Sequence, residues 1–294
     1  MKIGIIGAGA IGMIFGAYLA EAKHDIVFYV RKENENLYIE KEPNSPELIR
    51  CKQVSVIESL FSMDLIIIAV KYHHLKNLKS ELDLLPRHIP LLFLQNGLLH
   101  LSYTDQLKQE TIVIGSVLLG ATKVNSFTVR HLGIGKTSVG VYRGVWENAD
   151  VFFKSSSNNF PLVYSNQIKT TLVKKALMNC LINPLSTITK SPNGMLIKNE
   201  SYQLIMKNMY VEIMNVFNEW NELLLWEEVV ELCKNTENNR SSMLADFENN
   251  RIMEIDTIVG AILDEAKKRN EVLPILNTFY LLLKEMNKVG NRHE

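Results

Sequence analysis

Short apolar runs alternate with polar or amphipathic stretches through the first half of the chain. Runs of Ile, Leu and Val that are separated by helix-length segments are typical of parallel strands buried on both faces. This pattern predicts strands at 2–6, 26–30, 64–70, 89–95 and 111–118. The uncharged, small-residue segment 11–20, which follows the first of these strands, predicts a helix.

Two segments of the first half lack this alternation. Residues 33–47 are polar and carry two prolines, which predicts a loop. Residues 127–142 contain Val, Thr and Gly without helical periodicity, which predicts an antiparallel hairpin or a pair of edge strands. A polar connection at 154–159 then precedes a last predicted strand at 161–164.

From Gln167 onward nearly all of the chain has helical periodicity. The periodicity is clearest at 169–183, 201–225, 227–234 and 254–269. Strands that alternate with helices, followed by helices alone, indicate an α/β domain and then an all-α domain. We therefore expect an α/β domain over residues 1–166 and a helical domain over residues 167–294.

Composition and charge exclude several classes of protein. The 294 residues are 47% hydrophobic and 22% charged, which excludes a disordered or fibrous chain. Lys and Arg total 32, and Asp and Glu total 32, so the zero net charge argues against a nucleic-acid partner. Cys51, Cys180 and Cys233 lie far apart and lack metal-binding spacing, which favours a reducing compartment without a metal site.

The uncharged run from Ile3 to Ala20 is compatible with a signal peptide or a membrane span. Against that interpretation, the run contains five glycines, which suit a tight turn and close packing better than a membrane helix. We therefore expect a soluble cytoplasmic protein that does not associate with a membrane.

The sequence GAGAIG at residues 7–12 is a GxGxxG element that leaves a predicted strand and opens a predicted helix. In that context Gly7 permits the turn, Gly9 lets the backbone approach a pyrophosphate, and Gly12 lets the helix pack on the strand. Ala10 and Ile11 then present helix N-terminal N–H groups to the phosphates. The motif predicts a Rossmann-type dinucleotide site; the alternative is a glycine-rich turn that binds no ligand.

The second predicted strand ends in Arg31-Lys32, where an enzyme that selects NAD usually carries an acidic residue. A guanidinium suits a 2′-phosphate because it forms bidentate charged hydrogen bonds. The sequence therefore favours NADP over NAD, although Glu33 lies close by.

Two further strands end in polar residues, Lys71 and Asn96. Ligands of open parallel sheets bind beyond the carboxyl ends of the strands, so both side chains are expected near the glycine loop. The alternative is that they are ordinary loop residues. His73 and His74, on the following helix, are expected to be solvated.

Spacings of four place Lys175, Asn179 and Asn183 in one narrow stripe of an otherwise apolar helix. Such groups should face a ligand or water, because burying them without partners is costly. Pro184 disfavours helical geometry at Asn183, and Lys174 lies on another face. Farther on, residues 239–244 predict the capped start of another helix.

Taken together, these segments resemble the ketopantoate reductase (2-dehydropantoate 2-reductase) family. The matching elements, in the family's order, are GAGAIG at 7–12, AVK at 69–71, LQNG at 94–97, HLGIGKTSVG at 131–140, KKALMNCLINPL at 174–185, PNG at 192–194, NRSSML at 239–244 and EID at 254–256. The resemblance implies NADPH-dependent reduction of 2-dehydropantoate to pantoate, on the route to pantothenate and coenzyme A.

The resemblance also implies roles for individual residues. Lys175 matches the catalytic lysine and Glu254 the acidic residue that contacts the substrate hydroxyl and helps place that lysine. The positions that match substrate-binding residues are Asn96, Asn179, Asn183 and Ser242. The positions that match cofactor contacts, beside the glycine loop, are Arg31 at the 2′-phosphate and Lys71 and Asn96 near the nicotinamide.

The chain departs from the family in two places. Leu98-Leu99-His100 replaces a pattern that often has Gly two residues after Asn-Gly, and Val117-Leu118-Leu119 replaces a frequent Thr-Thr pair. Two alternatives follow: a reductase or dehydrogenase of another small 2-keto or 3-hydroxy acid, and a non-catalytic NADPH-binding regulator. The long C-terminal helices could pack within one chain or across a homodimer.

Overall fold

The computed structural model describes residues 1–33 and 36–290, which form two compact units. The first unit comprises Met1–Asn96 and His100–Leu172, and it contains every strand of the described residues. The second unit comprises Gly97–Leu99 and the chain from Val173 onward, and its regular structure is helical. The predicted fold class, an α/β unit followed by an all-α unit, is confirmed.

An eight-stranded sheet forms the centre of the first unit, with strand order β12-β11-β8-β7-β6-β1-β2-β5. Its strands are β1 (Lys2–Ile6), β2 (Asp25–Tyr29), β5 (Lys52–Val54), β6 (Leu65–Ile68), β7 (Leu91–Phe93), β8 (Ile112–Val117), β11 (Thr137–Arg143) and β12 (Leu162–Tyr164). Neighbouring strands are parallel except β8 and β11, which are antiparallel. The predicted apolar strands are confirmed, each within a few residues of its expected bounds.

A smaller four-stranded sheet, of order β4-β3-β10-β9, belongs to the same unit. Its strands are β3 (Tyr38–Glu40), β4 (Pro46–Leu48), β9 (Gly120–Lys123) and β10 (Thr128–Gly133). The helices of the unit are α1 (Ala10–Glu21), α2 (Tyr72–Leu75), α3 (Lys79–Leu84), α4 (Leu99–Thr104) and α5 (Ala149–Phe153). Helix α1 packs between the sheets because both of its faces are apolar or small. At Gly16 a side chain would lie 2.4 Å from the ring of Phe28.

The second unit is built around the long helix α6. Its helices are α6 (Ile168–Thr189), α7 (Met195–Lys198), α8 (Glu200–Val216), α9 (Trp226–Asn235), α10 (Ser242–Glu248), α11 (Ala261–Lys268) and α12 (Pro274–Gly290). A π-helical turn, Asp256–Gly260, runs directly into α11. The core of the unit is made mainly of Leu, Ile and Met side chains, many of them from α6 and α8. No helix in the described residues is both long and apolar enough to cross a membrane.

Several predicted elements were wrong. The segment 33–47, predicted as a loop, contains β3 and β4 in its described part; Asn34 and Glu35 lie outside the described residues. The segment 127–142 contains two strands, as expected, but they form neither a hairpin nor edge strands, because β10 lies between β3 and β9 whereas β11 lies between β8 and β12. The helix expected over 201–225 ends at Val216, and the one expected over 254–269 begins with the π-helical turn.

Helix α6 continues through Pro184, so Asn183 keeps helical geometry against the expectation from the proline. Proline inside a helix costs about 3 kcal/mol or more. Leu181 and Leu185, on either side of it, are fully or almost fully buried, and this packing offsets the cost. Tertiary burial therefore overrides the local preference of the residue before proline.

Candidate functional site

The turn between β1 and α1 has the geometry of an anion-binding glycine loop. Gly7 has a φ of 109°, and a side chain there would lie 2.7 Å from Val70 Cγ1. A side chain at Gly12 would lie 2.0 Å from the Gly7 carbonyl oxygen. At Gly9, by contrast, the nearest atom to an added Cβ would be the Ala69 carbonyl oxygen at 3.8 Å. Packing therefore requires glycine at positions 7 and 12, and Gly9 leaves space above the loop.

The N-terminus of α1 offers unpaired donors to that space. The helix begins at Ala10, its N-cap Gly9 supplies no side-chain hydrogen bond, and its first turn carries no acidic residue. The N–H groups of Ala10, Ile11 and Gly12 consequently have no acceptor within the helix, and the helix dipole is positive there. A loop with open space and free N–H groups fits the pyrophosphate of a dinucleotide.

Two strands flank β1 and bring basic residues to the same edge of the sheet. Tyr29 of β2 and Ile68 of β6 both align with Ile6, the last residue of β1. Arg31 lies two residues beyond Tyr29 and is exposed, and Lys71 lies three residues beyond Ile68 and is partly buried. The sheet therefore places the predicted 2′-phosphate residue and Lys71 on either side of the glycine loop.

His74 joins this basic group, which the sequence did not suggest. Partial burial, and then the positive charges of Arg31 and Lys71, lower the pKa of His74. The charges of Arg31 and Lys71 therefore both act on the His74 ring. His74 is exposed, as expected from the sequence. Its position three residues after Lys71, on α2, is the feature that could have revealed it.

Asn96 follows β7 at the same edge and is partly buried. Its neighbour Gln95 is buried, and the side-chain amide of Gln95 donates to the carbonyl oxygens of Ile68 at 3.0 Å and Val70 at 2.9 Å. Gln95 thus joins the end of β7 to the end of β6. These two hydrogen bonds restrain the backbone next to Asn96. The LQNG motif gave no indication of them.

In the helical unit, Gly97 and Leu98 are held against the π-helical turn. Gly97 has a φ of 75°, and a side chain there would lie 1.9 Å from the Thr257 carbonyl oxygen. The Leu98 N–H donates to that same oxygen at 3.2 Å. Glycine is therefore required at position 97 both by its backbone conformation and by this contact.

Lys175 is a cationic group of the helical unit whose pKa is strongly lowered. Its side chain is only partly exposed, and enclosure of its ammonium lowers the pKa of Lys175 to about 8. The carboxylate of Glu254 acts in the opposite direction and raises that pKa. Of these two opposing effects on the pKa of Lys175 burial is the larger, and Lys175 can exchange a proton near neutral pH.

The peptide segment that carries Glu254 is ordered by the turn that follows it. The Glu254 carbonyl oxygen accepts from the hydroxyl of Thr257 at 3.0 Å and from the N–H of Ile258 at 3.2 Å. Glu254 itself is partly buried. π-helical turns are rare and often occur at functional sites, and this one begins two residues after Glu254, whose charge acts on Lys175.

The two asparagines of the α6 stripe differ in burial. Asn179 is partly exposed, whereas Asn183 is 4% exposed. The Asn183 Nδ2 has no hydrogen-bond partner within the described part of the chain. Leaving a buried amide donor unpaired costs about 1–3 kcal/mol, so a ligand acceptor at this position would be favourable.

Other motif residues have structural surroundings. Lys174 forms an ion pair with Glu228 at 2.6 Å, on a different face of α6 from Lys175. Ser242 is exposed at the first residue of α10, and the preceding Ser241 caps the helix by accepting from the Leu244 N–H at 3.1 Å. Asp256 of the EID motif is exposed and accepts from Tyr280 and Lys284.

A cavity of about 720 Å³ lies elsewhere in the first unit. Tyr18, Lys41, Glu47 and His131 are among its lining residues. These groups satisfy one another, because Tyr18 Oη lies 2.8 Å from His131 Nδ1 and Lys41 pairs with Glu47 at 2.9 Å. The cavity contains none of the predicted site residues.

Comparison with known proteins agrees with this arrangement. The family model described as "Ketopantoate reductase PanE/ApbA" matches residues 3–144, and its C-terminal counterpart matches residues 167–287. The chain is 34% identical to the 2-dehydropantoate 2-reductase of Listeria monocytogenes, with 97% of this chain and 96% of the relative covered. It is 30% identical to the enzyme of that name from Bacillus subtilis, with 99% of each chain covered.

Solved structures have the same fold. The probable 2-dehydropantoate 2-reductase from Bacillus subtilis superposes with a TM-score of 0.87 at 28% identity, with 97% of this chain and all of that one covered. D-mandelate dehydrogenase, solved with NADH and anilino(oxo)acetate, superposes with a TM-score of 0.86 at 24% identity, with 99% of each chain covered. The chain belongs to the ketopantoate reductase family.

Proposed function

We propose that this chain catalyses the NADPH-dependent reduction of 2-dehydropantoate to pantoate, with Lys175 as the general acid. The observation that carries the proposal is the enclosed ammonium of Lys175 beside Glu254, with a pKa lowered to about 8. A non-catalytic regulator needs neither a lysine of such pKa nor its carboxylate neighbour. The activity is also that of the relatives from Listeria and Bacillus, by their names.

The reaction adds a hydride to the keto carbon and a proton to its oxygen. NADPH, when bound, supplies the hydride. As the keto oxygen gains negative charge, the Lys175 ammonium stabilises it more strongly than in the ground state and transfers a proton to it. The Glu254 carboxylate contacts the substrate hydroxyl and keeps Lys175 protonated at neutral pH, since its charge raises the pKa of the lysine.

The polar side chains around this pair orient the substrate. Asn179 and Asn183 follow Lys175 at intervals of four on α6, and the unpaired Nδ2 of Asn183 is suited to a substrate oxygen. Ser242 binds the carboxylate, and Asn96 contributes to substrate and nicotinamide binding. The family pattern and the partial or full exposure of Asn96, Asn179 and Ser242 support these roles.

The glycine loop residues Gly7, Gly9, Ala10, Ile11 and Gly12 bind the cofactor's pyrophosphate in this proposal. Arg31 binds its 2′-phosphate, and Lys71 lies near the nicotinamide. In functional terms the cofactor domain spans residues 1–166 and the helical substrate domain spans residues 167–294. The separate family matches over 3–144 and 167–287 support this division.

A cytoplasmic location and a homodimer complete the proposal. Three free cysteines among the described residues favour a reducing compartment. A ketopantoate reductase from Staphylococcus aureus with the same fold is described as dimeric. Its TM-score is 0.77 at 19% identity, with 99% of this chain and all of that one covered. Sedimentation of the purified protein tests the dimer.

The direct test is NADPH oxidation with 2-dehydropantoate, run beside other 2-keto acids and with NADH as the alternative cofactor. Selective oxidation of NADPH by 2-dehydropantoate supports the proposal. Preference for another keto acid would assign specificity to the departures at Leu98-Leu99-His100 and Val117-Leu118-Leu119. NADPH binding without turnover on any keto acid would favour the regulator instead.

The cofactor assignment predicts a selective effect of Arg31→Ala. Charged hydrogen bonds to a phosphate contribute about 1.5–3 kcal/mol, so KM for NADPH should rise about ten-fold or more. KM for NADH, which lacks the 2′-phosphate, should stay within about two-fold. The matched control is Lys32→Ala, an exposed neighbour. An unchanged ratio of kcat/KM for the two cofactors would remove Arg31 from the site.

Adjacent serines give a second prediction. Ser242→Ala should raise KM for the keto acid about ten-fold, the usual effect of losing one hydrogen bond to a charged group, without changing the Kd of NADPH. Ser241→Ala should instead destabilise the protein by about 1 kcal/mol, because it removes the cap of α10. Both are measured by kinetics and thermal unfolding. Loss of keto-acid and NADPH binding together in Ser242→Ala would indicate a folding defect.

A further inference from the structure

The smaller sheet brings a lysine to the glycine loop. Lys123 is the last residue of β9, and its ammonium donates to the Ala8 carbonyl oxygen at 3.3 Å and to the Ser126 carbonyl oxygen at 2.8 Å. Ala8 lies inside the GAGAIG element, 115 residues from Lys123 in the chain. The turn after β9 is itself ordered, because Asn125 Oδ1 accepts from the Phe127 N–H at 2.9 Å.

No carboxylate in the described part of the chain neutralises the charge of Lys123. Within residues 1–33 and 36–290, Lys123 forms no ion pair with a carboxylate, and both of its acceptors are backbone carbonyls. Although the side chain as a whole is exposed, the loop partly desolvates the ammonium, which lowers the pKa of Lys123. An ammonium has three donors, so two carbonyls leave one donor for a ligand.

We propose that Lys123 is a cofactor-binding residue that holds the glycine loop through Ala8 and places a positive charge beside the pyrophosphate. This inference rests on the proposed NADPH site. The bond to the Ala8 carbonyl restrains the loop between Gly7 and Gly9. An ammonium that has only backbone carbonyls as partners among the described residues, next to helix N-terminal N–H groups, adds to the field that attracts a dianion. The smaller sheet thereby contributes to dinucleotide binding.

NADPH and NADH both carry the pyrophosphate, whereas only NADPH carries the 2′-phosphate. Loss of Lys123 should therefore weaken the binding of both cofactors, and loss of Arg31 should weaken that of NADPH alone. Lys123→Met, which keeps the length of the side chain, should raise the Kd of both cofactors by about ten-fold, as expected for one charged hydrogen bond. The Kd values are measured by fluorescence titration of the reduced cofactors, so the result does not depend on turnover. The dependence of Kd on salt should become shallower, because one cation has been removed.

Two further variants make the test specific. Lys123→Arg keeps the charge and should recover most of the affinity. Lys154→Met removes an exposed lysine after α5 and should leave both Kd values and activity at wild-type levels. Thermal unfolding of each free protein accompanies the titrations, since a purely structural lysine would lower Tm in Lys123→Met and would not alter the salt dependence.

Three results would overturn the inference. The first is an unchanged Kd for both cofactors in Lys123→Met. The second is a loss of affinity for NADPH alone, which would assign the lysine to the 2′-phosphate. The third is a loss of affinity for both cofactors that comes with a lower Tm in Lys123→Met and that Lys123→Arg does not restore. Failure of the wild-type protein to bind NADPH would refute the cofactor assignment itself. NADPH binding without turnover would refute only the proposed reaction and leave the Lys123 measurement valid.

Discussion

Lys175→Met is expected to lose turnover by about 10²-fold or more with 2-dehydropantoate, whereas Lys174→Met keeps wild-type turnover. The loss follows because the methionine cannot stabilise the developing charge on the keto oxygen or give it a proton. Lys174 precedes it on the same helix but pairs with Glu228 at 2.6 Å on another face. Steady-state kcat of the two variants, measured at saturating NADPH, decides between them.

Stability distinguishes lost chemistry from lost folding in this experiment. Methionine fills much of the space of lysine, and it removes the cost of enclosing an ammonium, so Lys175→Met should unfold at no lower Tm than wild type. The ion pair of Lys174 is partly exposed, and its loss should cost at most about 1 kcal/mol. Turnover retained in Lys175→Met, or lost equally in both variants, would contradict the assignment of the general acid.

Elements that carry a clear hydrophobic pattern within their own residues were predicted correctly. The strands β1, β6 and β8 are runs of Ile, Leu and Val, and they were predicted because burial on both faces leaves a continuous apolar signal. The segment 127–142 was misassigned because its two strands join different sheets. Strand pairing between distant segments leaves no signal within either segment.

In the candidate site, too, the residues with a local sequence pattern were predicted and a residue without one was not. The spacing of Lys175, Asn179 and Asn183 follows from helical periodicity alone, and the glycine loop follows from a strand, a turn and a helix that are adjacent in sequence. Lys123 has no motif of its own and reaches the loop across 115 residues. Its contact depends on how the smaller sheet packs against α1, which no local pattern records.

Removing the charge of Glu254 should move the alkaline limit of activity to lower pH. Lys175 must carry its proton to act as an acid, and its pKa is about 8. Wild-type kcat should therefore be constant below about pH 7 and fall about ten-fold per pH unit well above 8. In Glu254→Gln the effect that raises the pKa of Lys175 is absent, so the lysine loses its proton at a lower pH.

The shape of this profile separates electrostatics from positioning. If Glu254 acts through the charge of Lys175 as well as through its substrate contact, Glu254→Gln should be less impaired at about pH 6 than at about pH 8. Asp256→Asn is the matched control, because Asp256 is exposed, two residues farther on, and held by Tyr280 and Lys284. The kcat profiles of all three proteins are measured from about pH 5 to 10. If kcat of Glu254→Gln were lowered equally at every pH, with the alkaline limit unchanged, Glu254 would be a substrate contact that does not affect the pKa of Lys175.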